Sequence, residues 1–294
     1  MRISAFIFLV VYPCMTTAAG FSANFELGAL YDSRLALDEP DFTSESSDSA
    51  LSYSAYGEWK EKVDKNTEVR ADFSLFEVRQ NEFEEYNLRS LLYGAALVHA
   101  RWDADLGLEA HHSQTELDGS EFLSITTLNP YYSRFVRESI YMRLGWEHTE
   151  KIYVDSSDQD ASKNSFSSHF YVFSRDGKNY FLLAYRVENE DAKNSVYDAS
   201  EHYLRCQWTQ KSMWRERSVV SRVGASYEIR KYKNNLEEYG VADEKQVALY
   251  VESQLYLSAN TYIRLRLEYE DNASDLSDQD YHRHVIESAF GMDF

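Results

Sequence analysis

The residues best suited to acid–base or metal chemistry in this sequence are its eight histidines, four of which lie in two close groups. His111 and His112 are adjacent, and His282 and His284 flank Arg283. Either group could supply a metal ligand or a catalytic base, although such histidines are more often hydrated residues at a loop edge. The sequence contains no Gly-x-Ser-x-Gly, no His-Glu-x-x-His, no phosphate-binding glycine loop and no cysteine pair for zinc. We therefore expect no enzyme, no bound metal and no cofactor.

The charged side chains follow a different rule, because they alternate with apolar ones. Residues 263–270 read Ile-Arg-Leu-Arg-Leu-Glu-Tyr-Glu. A β-strand sends successive side chains to opposite faces, so Leu265 would lie on one face and Arg264 and Arg266 on the other. Extending this phase along the chain gives one polar face. Its principal members are Arg70, Arg143, Arg186, Arg205, Arg222, Arg264, Arg266, Glu147, Glu252 and Glu268.

The alternation defines about fourteen strand segments, the first near 21–32 and the last near 280–294. No long segment shows a comparable helical stripe. Most segments match or exceed the roughly 9–11 residues that a tilted strand needs to cross a membrane, whereas sandwich strands are usually shorter. An even number of long strands predicts an all-β fold, an up-and-down antiparallel barrel that spans a membrane.

The connections between these segments alternate in length. Short ones follow even-numbered segments, at 63–66, 102–103, 175–178 and 258–260. Long acidic ones follow odd-numbered segments, at 32–49, 148–165, 187–199, 231–245 and 269–280. Outer-membrane barrels have short periplasmic turns and longer extracellular loops, so this order predicts an N-terminus in the periplasm.

The N-terminus has the three-part layout of a secretory signal peptide. Arg2 supplies a positive charge, residues 3–11 are mostly apolar, and residues 16–19 are small. We expect a signal peptide at 1–19 and a single barrel domain at 20–294. Cys14 would leave with the peptide, which makes Cys206 the only cysteine and excludes an internal disulfide.

The composition agrees with a barrel and excludes other classes. The 294 residues include 49 acidic and 30 basic ones, for a net charge of −19, and 15% are aromatic. A disordered chain would carry fewer aromatics, and a nucleic-acid-binding protein would normally present a basic face. The mean hydropathy of −0.54 fits a membrane barrel whose lumen is lined by polar residues.

The chain ends on an alternating apolar triplet, Phe290, Met292 and Phe294. A terminal aromatic on such a strand resembles the signal by which the barrel-assembly machinery recognises bacterial outer-membrane proteins. The resemblance implies that this machinery is a partner.

A family resemblance covers the barrel. Residues 267–294 comprise a Leu-Glu-Tyr-Glu strand, an acidic loop and the ending Ala-Phe-Gly-Met-Asp-Phe, and residues 27–41 comprise a strand that ends Tyr-Asp-Ser before another acidic loop. Both resemble a barrel family that includes the C-terminal barrel of surface lipoprotein assembly modifiers and barrels fused to tetratricopeptide repeats. This sequence lacks the helical repeat region, where the resemblance would place partner recognition.

These observations predict an integral protein of the bacterial outer membrane, in contact with lipid and lipopolysaccharide and not with nucleic acid. The charges of the polar face could set a field across an open lumen, or they could form salt bridges that rigidify a narrow barrel. The first alternative predicts a porin-like channel for a polar or anionic solute. The second fits a structural or binding barrel, or a translocator related to the assembly modifiers. A barrel enzyme such as a phospholipase is the third class.

Overall fold

The computed structural model describes residues 19–35, 46–234, 242–275 and 280–294. The predicted signal peptide lies outside these residues except for Ala19, which begins the first strand. The described residues form no helix of the length and apolar character that a transmembrane helix requires.

The described residues fold into one closed antiparallel barrel of fourteen strands, which confirms the predicted fold class. Each strand pairs with its neighbours in sequence, and β1 pairs with β14 to close the ring. The strands are β1 (Ala19–Asp32), β2 (Asp48–Lys62), β3 (Thr67–Gln80), β4 (Leu88–Arg101), β5 (Ala104–Leu117), β6 (Ser120–Arg137), β7 (Ile140–Tyr153), β8 (Ala161–Phe173), β9 (Asn179–Ala192), β10 (Ala199–Trp214), β11 (Arg217–Tyr232), β12 (Glu244–Tyr256), β13 (Thr261–Ser274) and β14 (Tyr281–Asp293).

Contacts between strands two apart distinguish the inner face of the barrel from the outer face. Arg264 on β13 bonds Glu26 on β1, at 2.7 Å from Nη2 to Oε2. Arg143 on β7 likewise bonds Glu109 on β5. Side chains of alternate strands converge only on the concave side of a closed sheet, so this polar face is the inner one. The other face is apolar and exposed, with Leu27, Phe73, Leu97, Leu108, Leu183, Leu249, Leu265 and Ile286 among its residues.

The two ends of the barrel differ in the length of their connections. The connections at the end that carries both termini are 63–66, 102–103, 138–139, 174–178, 215–216 and 257–260. Those at the opposite end are 33–47, 81–87, 118–119, 154–160, 193–198, 233–243 and 275–280. Apart from 118–119, the second set is longer. That exception is a tight turn in which Asp118 and Gly119 both have positive φ, at 50° and 74°.

Several strands extend further toward the long-loop end than the sequence predicts. Strand β8 begins at Ala161, inside the connection predicted at 148–165, and β9 continues to Ala192, inside the connection predicted at 187–199. The reason is visible on the inner face, where Lys163 on β8 pairs with Glu188 on β9 at 2.5 Å. Charged residues that the sequence assigns to loops therefore belong to the strands and continue their two-residue alternation.

Aspartates shape the short turns. The backbone N–H groups of Asn66 and Thr67 donate to the Asp64 carboxylate at 2.7 and 2.8 Å. The bond from Asn66 is the main reason that the pKa of Asp64 lies below its ordinary value. In the turn after β8, the Ser174 hydroxyl and then the Lys178 N–H lower the pKa of Asp176 in the same way.

Three inward tyrosines each lie over a glycine directly opposite on the next strand. The pairs are Tyr131 with Gly107, Tyr250 with Gly224 and Tyr262 with Gly291. A Cβ at any of these glycines would overlap the tyrosine ring. The missing side chain lets the tyrosine reach the strand beyond, and Tyr262 donates to Glu26 on β1 at 2.6 Å.

Candidate functional site

The structure places every predicted residue of the polar face on the inner wall of the barrel. Cross-strand pairing fixes this, because Arg222 stands opposite Glu252, which stands opposite Arg266. The predicted residues do not form one cluster. Arg222, Arg264, Arg266, Glu252 and Glu268 come together, whereas Arg70, Arg143, Glu147, Arg186 and Arg205 are distributed around the rest of the wall.

The clustered set forms an arginine–glutamate network on β11 to β14 and β1, which we call the paired wall. Arg264 lies between two carboxylates, at 2.7 Å from Glu26 and 2.8 Å from Glu287. Arg222 bonds Glu252, and Arg266 bonds Glu268 at 2.6 Å. Each arginine charge in this network is balanced by at least one carboxylate.

A second network near the long-loop end was not identified from the sequence. Glu188, Glu190 and Glu201 are buried, and Lys151 is only 5% exposed. Arg186 bonds Glu201 at 2.6 Å, and Arg230 bonds Glu190 at 2.7 Å. The alternation on β7, β9 and β10 continues into these residues and could have indicated them.

A different arrangement crosses β7 to β10 at mid-strand. The register aligns Arg143 opposite His169, His169 opposite Ala184, and Ala184 opposite Arg205, all on the inner face. Arg143 leans away from this row toward Glu109 and lies over the ring of Tyr131, 3.7 Å from its centroid. The small Ala184, between His169 and Arg205, is buried by its neighbours.

Arg205 differs from the arginines of the paired wall. It donates from Nη2 to Gln207 Oε1 at 2.6 Å and to the Tyr250 hydroxyl at 2.8 Å, and both acceptors are neutral. Its buried Nε–H has no hydrogen-bond partner, and within the described part of the chain no carboxylate lies at ion-pair distance from it. Its positive charge is therefore not balanced locally.

Five aromatic side chains on β6 to β9 cluster on the inner face below this row, toward the short turns. Ring centroids are 5.2 Å apart for Phe135 and Tyr141, 5.8 Å for Tyr141 and Tyr171, and 6.1 Å for Tyr171 and Tyr180. Phe173 contacts Tyr171 and Tyr180. Phe135 is 54% exposed, whereas the other four side chains are partly buried. We call Phe135, Tyr141, Tyr171, Phe173 and Tyr180 the aromatic floor.

The histidines singled out in the sequence do not converge on one site. His111 faces inward, 3.8 Å from Asp72, whereas His112 faces outward and contacts the Thr126 hydroxyl. On the other hairpin, His282 and His284 lie against Tyr269 on the outer face. Within the ranges described, no three His, Cys, Asp or Glu side chains converge as metal ligands would.

The number of strands sets the width of the barrel. Fourteen strands about 4.8 Å apart and tilted by about 40° form a barrel about 28 Å across between strand axes. The ion pairs described above join residues of the same strand, adjacent strands or strands two apart, so they run along the wall. Solvent reaches the inner face, where Tyr56 is 40% exposed and Phe76 38%.

Comparisons with known proteins identify similar folds. No protein-family model and no curated protein matches this chain. A loop-deletion form of OmpT from Vibrio cholerae matches with a TM-score of 0.56 and 10% identity, covering 94% of this chain and all of that one. An anion-selective porin from Comamonas acidovorans matches at 0.54 and 8% identity, covering 94% of this chain and 99% of that one. A bacterial polysaccharide outer membrane secretin matches at 0.50 and 13%, covering 92% and 98%.

These similarities show a fold shared with outer-membrane β-barrels over 92 to 94% of this chain. Identities of 8 to 13% show the fold alone. None of the comparisons provides evidence for the expected relationship to surface lipoprotein assembly modifiers.

Proposed function

We propose that this protein is a channel of the bacterial outer membrane through which small polar solutes pass passively, with a preference for anions. The observation that carries the proposal is Arg205, an arginine of the inner wall that bonds only neutral acceptors among the described residues. Most other arginines of the lumen are balanced by glutamates, so their fields are short-ranged. Arg205 therefore adds positive potential along the path of a solute.

The outer face supports insertion into a membrane. Its exposed apolar residues form a continuous band on a barrel without free strand edges, which is the surface that lipid tolerates. The longer connections would face the cell exterior and contact lipopolysaccharide, and the termini would lie in the periplasm. An anion-selective porin from Comamonas acidovorans shares this fold.

Conductance in a planar lipid bilayer tests the channel. We expect discrete current steps and, in a salt gradient, a reversal potential that indicates anion preference. Arg205→Gln should shift the reversal potential toward cations. The matched control Arg79→Gln removes the same charge from the outer face, where Arg79 pairs with Glu77 at 2.6 Å, and should leave the potential unchanged. Absence of current steps from correctly folded protein would reject the proposal.

A structural barrel is the second candidate, because several lumen charges are buried in complete ion pairs. Lys151 lies 3.7 Å from Glu190, and both side chains are almost inaccessible. A structural or binding barrel, including a translocator related to the assembly modifiers, would fold normally and conduct nothing. A barrel phospholipase is third, and hydrolysis of phospholipid by the purified protein would support it.

The orientation can be tested by cysteine labelling of whole cells. A membrane-impermeant reagent should label Ser157→Cys, at the long-loop end, and should not label Asp176→Cys, at the short-turn end. Residues 41 and 277 should also label, although both lie outside the described residues. Labelling of Asp176→Cys alone would reverse the proposed orientation. Cys206 must first be replaced by serine.

We also propose that the C-terminal strand is recognised by the barrel-assembly machinery. Phe294 is 67% exposed, while its backbone exchanges hydrogen bonds with Ala23, at 2.8 and 3.1 Å. Deletion of Phe294 removes both features, whereas Phe294→Ala keeps the backbone bonds. If the ring is the signal, both variants should lower the amount of folded barrel in the membrane. Normal levels of Phe294→Ala would contradict an assembly role for the ring.

A further inference from the structure

We infer that the outer face of the barrel carries a groove that binds an acyl chain of lipopolysaccharide, with a phosphate of the same molecule held above it. This inference deepens the proposed contact with lipopolysaccharide and rests on the proposed location and orientation of the barrel. Its basis is an apolar groove across β9 to β14, a polar end to that groove near the long loops, and two lysines beyond that end.

A groove of about 990 Å³ crosses the outer face from β9 to β14. One border is a row of side chains that stand opposite one another from strand to strand. All of them point outward and are 40 to 50% exposed, so the groove is open to the surroundings of the barrel. The row consists of Phe181, Trp208, Val223, Val251, Leu267 and Ile286.

Small side chains make the groove deep at its centre. On the border nearer the long loops, Cys206 stands opposite Ala225, which stands opposite Leu249. Cys206 and Ala225 are partly buried, and the larger Trp208 and Leu249 project on either side of them. Lipid tails are as apolar as leucine, so close packing against the protein is what would select a chain here. A narrow groove between bulky side chains gives a hydrocarbon chain that packing.

The groove climbs through the depth of one leaflet. It begins at Phe181, the third residue of β9 from the short-turn end, and ends at His284, the fourth residue of β14 from the long-loop end. Strands about 4.8 Å apart give it a length of about 24 Å, and a strand tilt of about 40° separates its ends in height by about 15 Å. This rise is half of a hydrocarbon core about 30 Å thick, which is the depth that one lipid tail occupies.

The groove becomes polar only at its end near the long loops. Tyr269 and His284 line that end, with ring centroids 5.1 Å apart, whereas Phe181 and Trp208 line the other. Side chains with an aromatic body and a polar tip favour the level of lipid headgroups. The groove therefore has the polarity of a lipid whose tail points toward the bilayer midplane.

Two lysines lie beyond the polar end on the same outer face. Lys231 on β11 and Lys245 on β12 continue the outward alternation of Tyr227 and Val247 toward the long loops. Within the described ranges, neither ammonium group has a hydrogen bond or an ion pair. The carboxylate of Asp271, at the same end, contacts His282 at 2.9 Å.

These free ammonium groups favour a lipid that carries phosphate, because lysine attracts phosphate as a point charge. In the proposed orientation the long loops face the cell exterior, so the lipid belongs to the outer leaflet. Lipopolysaccharide is the lipid of that leaflet, and its phosphates lie directly above its acyl chains. The groove and the lysines together thus fit one molecule of lipopolysaccharide.

Mass spectrometry of the barrel extracted from outer membranes in mild detergent tests this site. We expect the wild-type barrel to retain lipopolysaccharide. Ala225→Phe fills the centre of the groove, and Lys231→Gln combined with Lys245→Gln removes both free charges. Each change should lower the retained amount about tenfold. Ala110→Phe is the matched control, because Ala110 is an exposed outward residue of β5 away from the groove, and it should retain as much lipid as the wild type.

The oligomeric state, from light scattering in the same detergent, separates the other possible occupants. Retention of phospholipid instead, an equal loss in Ala110→Phe, or retention unchanged by the groove and lysine variants would overturn the inference. So would an oligomer without bound lipid that Ala225→Phe converts to a monomer, because the groove would then hold a second copy of the chain. Cys206→Phe is the second groove variant if Ala225→Phe fails the heat-modifiable mobility test of folding. A barrel that conducts but retains no lipopolysaccharide would refute the lipid site and leave the channel intact.

Discussion

The paired wall and the surroundings of Arg205 use arginine in different ways. On the paired wall, Arg264 bonds Glu26 and Glu287, and Arg222 bonds Glu252. On the side formed by β6 to β10, Arg205 bonds only neutral groups and lies near the aromatic floor. The first arrangement cross-links strands, and the second leaves a charge available to solutes.

This difference shows that charge counts do not determine the field inside a barrel. The inner wall carries many glutamates, and the whole chain has a net charge of −19. Opposite charges in contact cancel within a few ångströms, so an arginine–glutamate network contributes little potential at the lumen axis. The potential there depends on the few charges whose partners are neutral.

The largest expected effect is on the free energy of unfolding, which should differ between a variant of the paired wall and a variant of Arg205. Arg264→Leu leaves Glu26 and Glu287 without their shared cation, and removal of one member of a buried ion pair costs about 3 kcal/mol or more. Arg205→Leu leaves the Tyr250–Gln207 hydrogen bond intact and should cost about 1 kcal/mol or less. Reversible denaturant unfolding in detergent measures both. Equal losses would show that the paired wall is not a structural network.

A second prediction compares the outer face with the inner face at adjacent positions. Leu265 is 48% exposed on the outer face, so Leu265→Arg should cost about 2–4 kcal/mol near the bilayer midplane. Arg266 pairs with Glu268 beside lumen water, and Arg266→Leu should cost about 1 kcal/mol, since exposed pairs contribute little. The measurement is reversible unfolding in lipid vesicles. The opposite order would mean that the two faces are exchanged, as after a one-residue slip.

The sequence predicts the fold well because the two-residue period repeats in every strand. The strict alternation at Arg264, Leu265 and Arg266 is enough to separate the inner face from the outer face. The alternation of short and long connections indicates which end of the barrel carries the termini. The strand ends at Lys163 and Glu190 are predicted less well. Their charges suggest a solvated loop, and only the partner on the neighbouring strand shows that they belong to the ladder.

The candidate site depends on contacts between strands, which the two-residue period of each strand does not reveal. The sequence places Arg205 and Arg222 on the same face but gives no register between strands. Register decides that Arg222 faces Glu252, whereas Arg205 faces Ser226 and Ala184. The aromatic floor was missed for the same reason, because its residues come from four strands and contact one another only after the barrel closes.

A third prediction concerns the glycines that let tyrosines cross the inner wall. In Gly224→Ala the new methyl group would overlap the ring of Tyr250, which also bonds Arg205 and Gln207. We expect a loss of about 1–3 kcal/mol, as for other overpacked sites. Gly57→Ala is the matched control on the outer face, where the nearest atom to a Cβ lies 3.6 Å away. Denaturant midpoints compare the two, and equal shifts would contradict the tyrosine–glycine contact.

The smallest effect lies outside both walls, in the turn between β8 and β9 beside the aromatic floor. The Asp176 carboxylate accepts a hydrogen bond from the Ser174 hydroxyl at 2.5 Å and another from the Lys178 N–H at 3.1 Å. The bond from Ser174 is the larger cause of the lowered pKa of Asp176. A carboxyl whose pKa is lower in the folded state stabilises that state above its unfolded pKa, here 3.8, and loses this contribution as pH falls through the folded pKa.

Asp176→Asn should therefore shift the unfolding midpoint slightly at neutral pH and not at all in strong acid. Full exposure of the carboxylate keeps this shift smaller than those of the wall variants. The measurement is the midpoint difference between wild type and variant from about pH 6 to about pH 2. Asp64→Asn, in the turn between β2 and β3 on another side of the barrel, is the matched variant and should behave alike. A difference that grew toward acid would contradict the assigned role of both aspartates, because it would require a carboxyl whose pKa rises on folding.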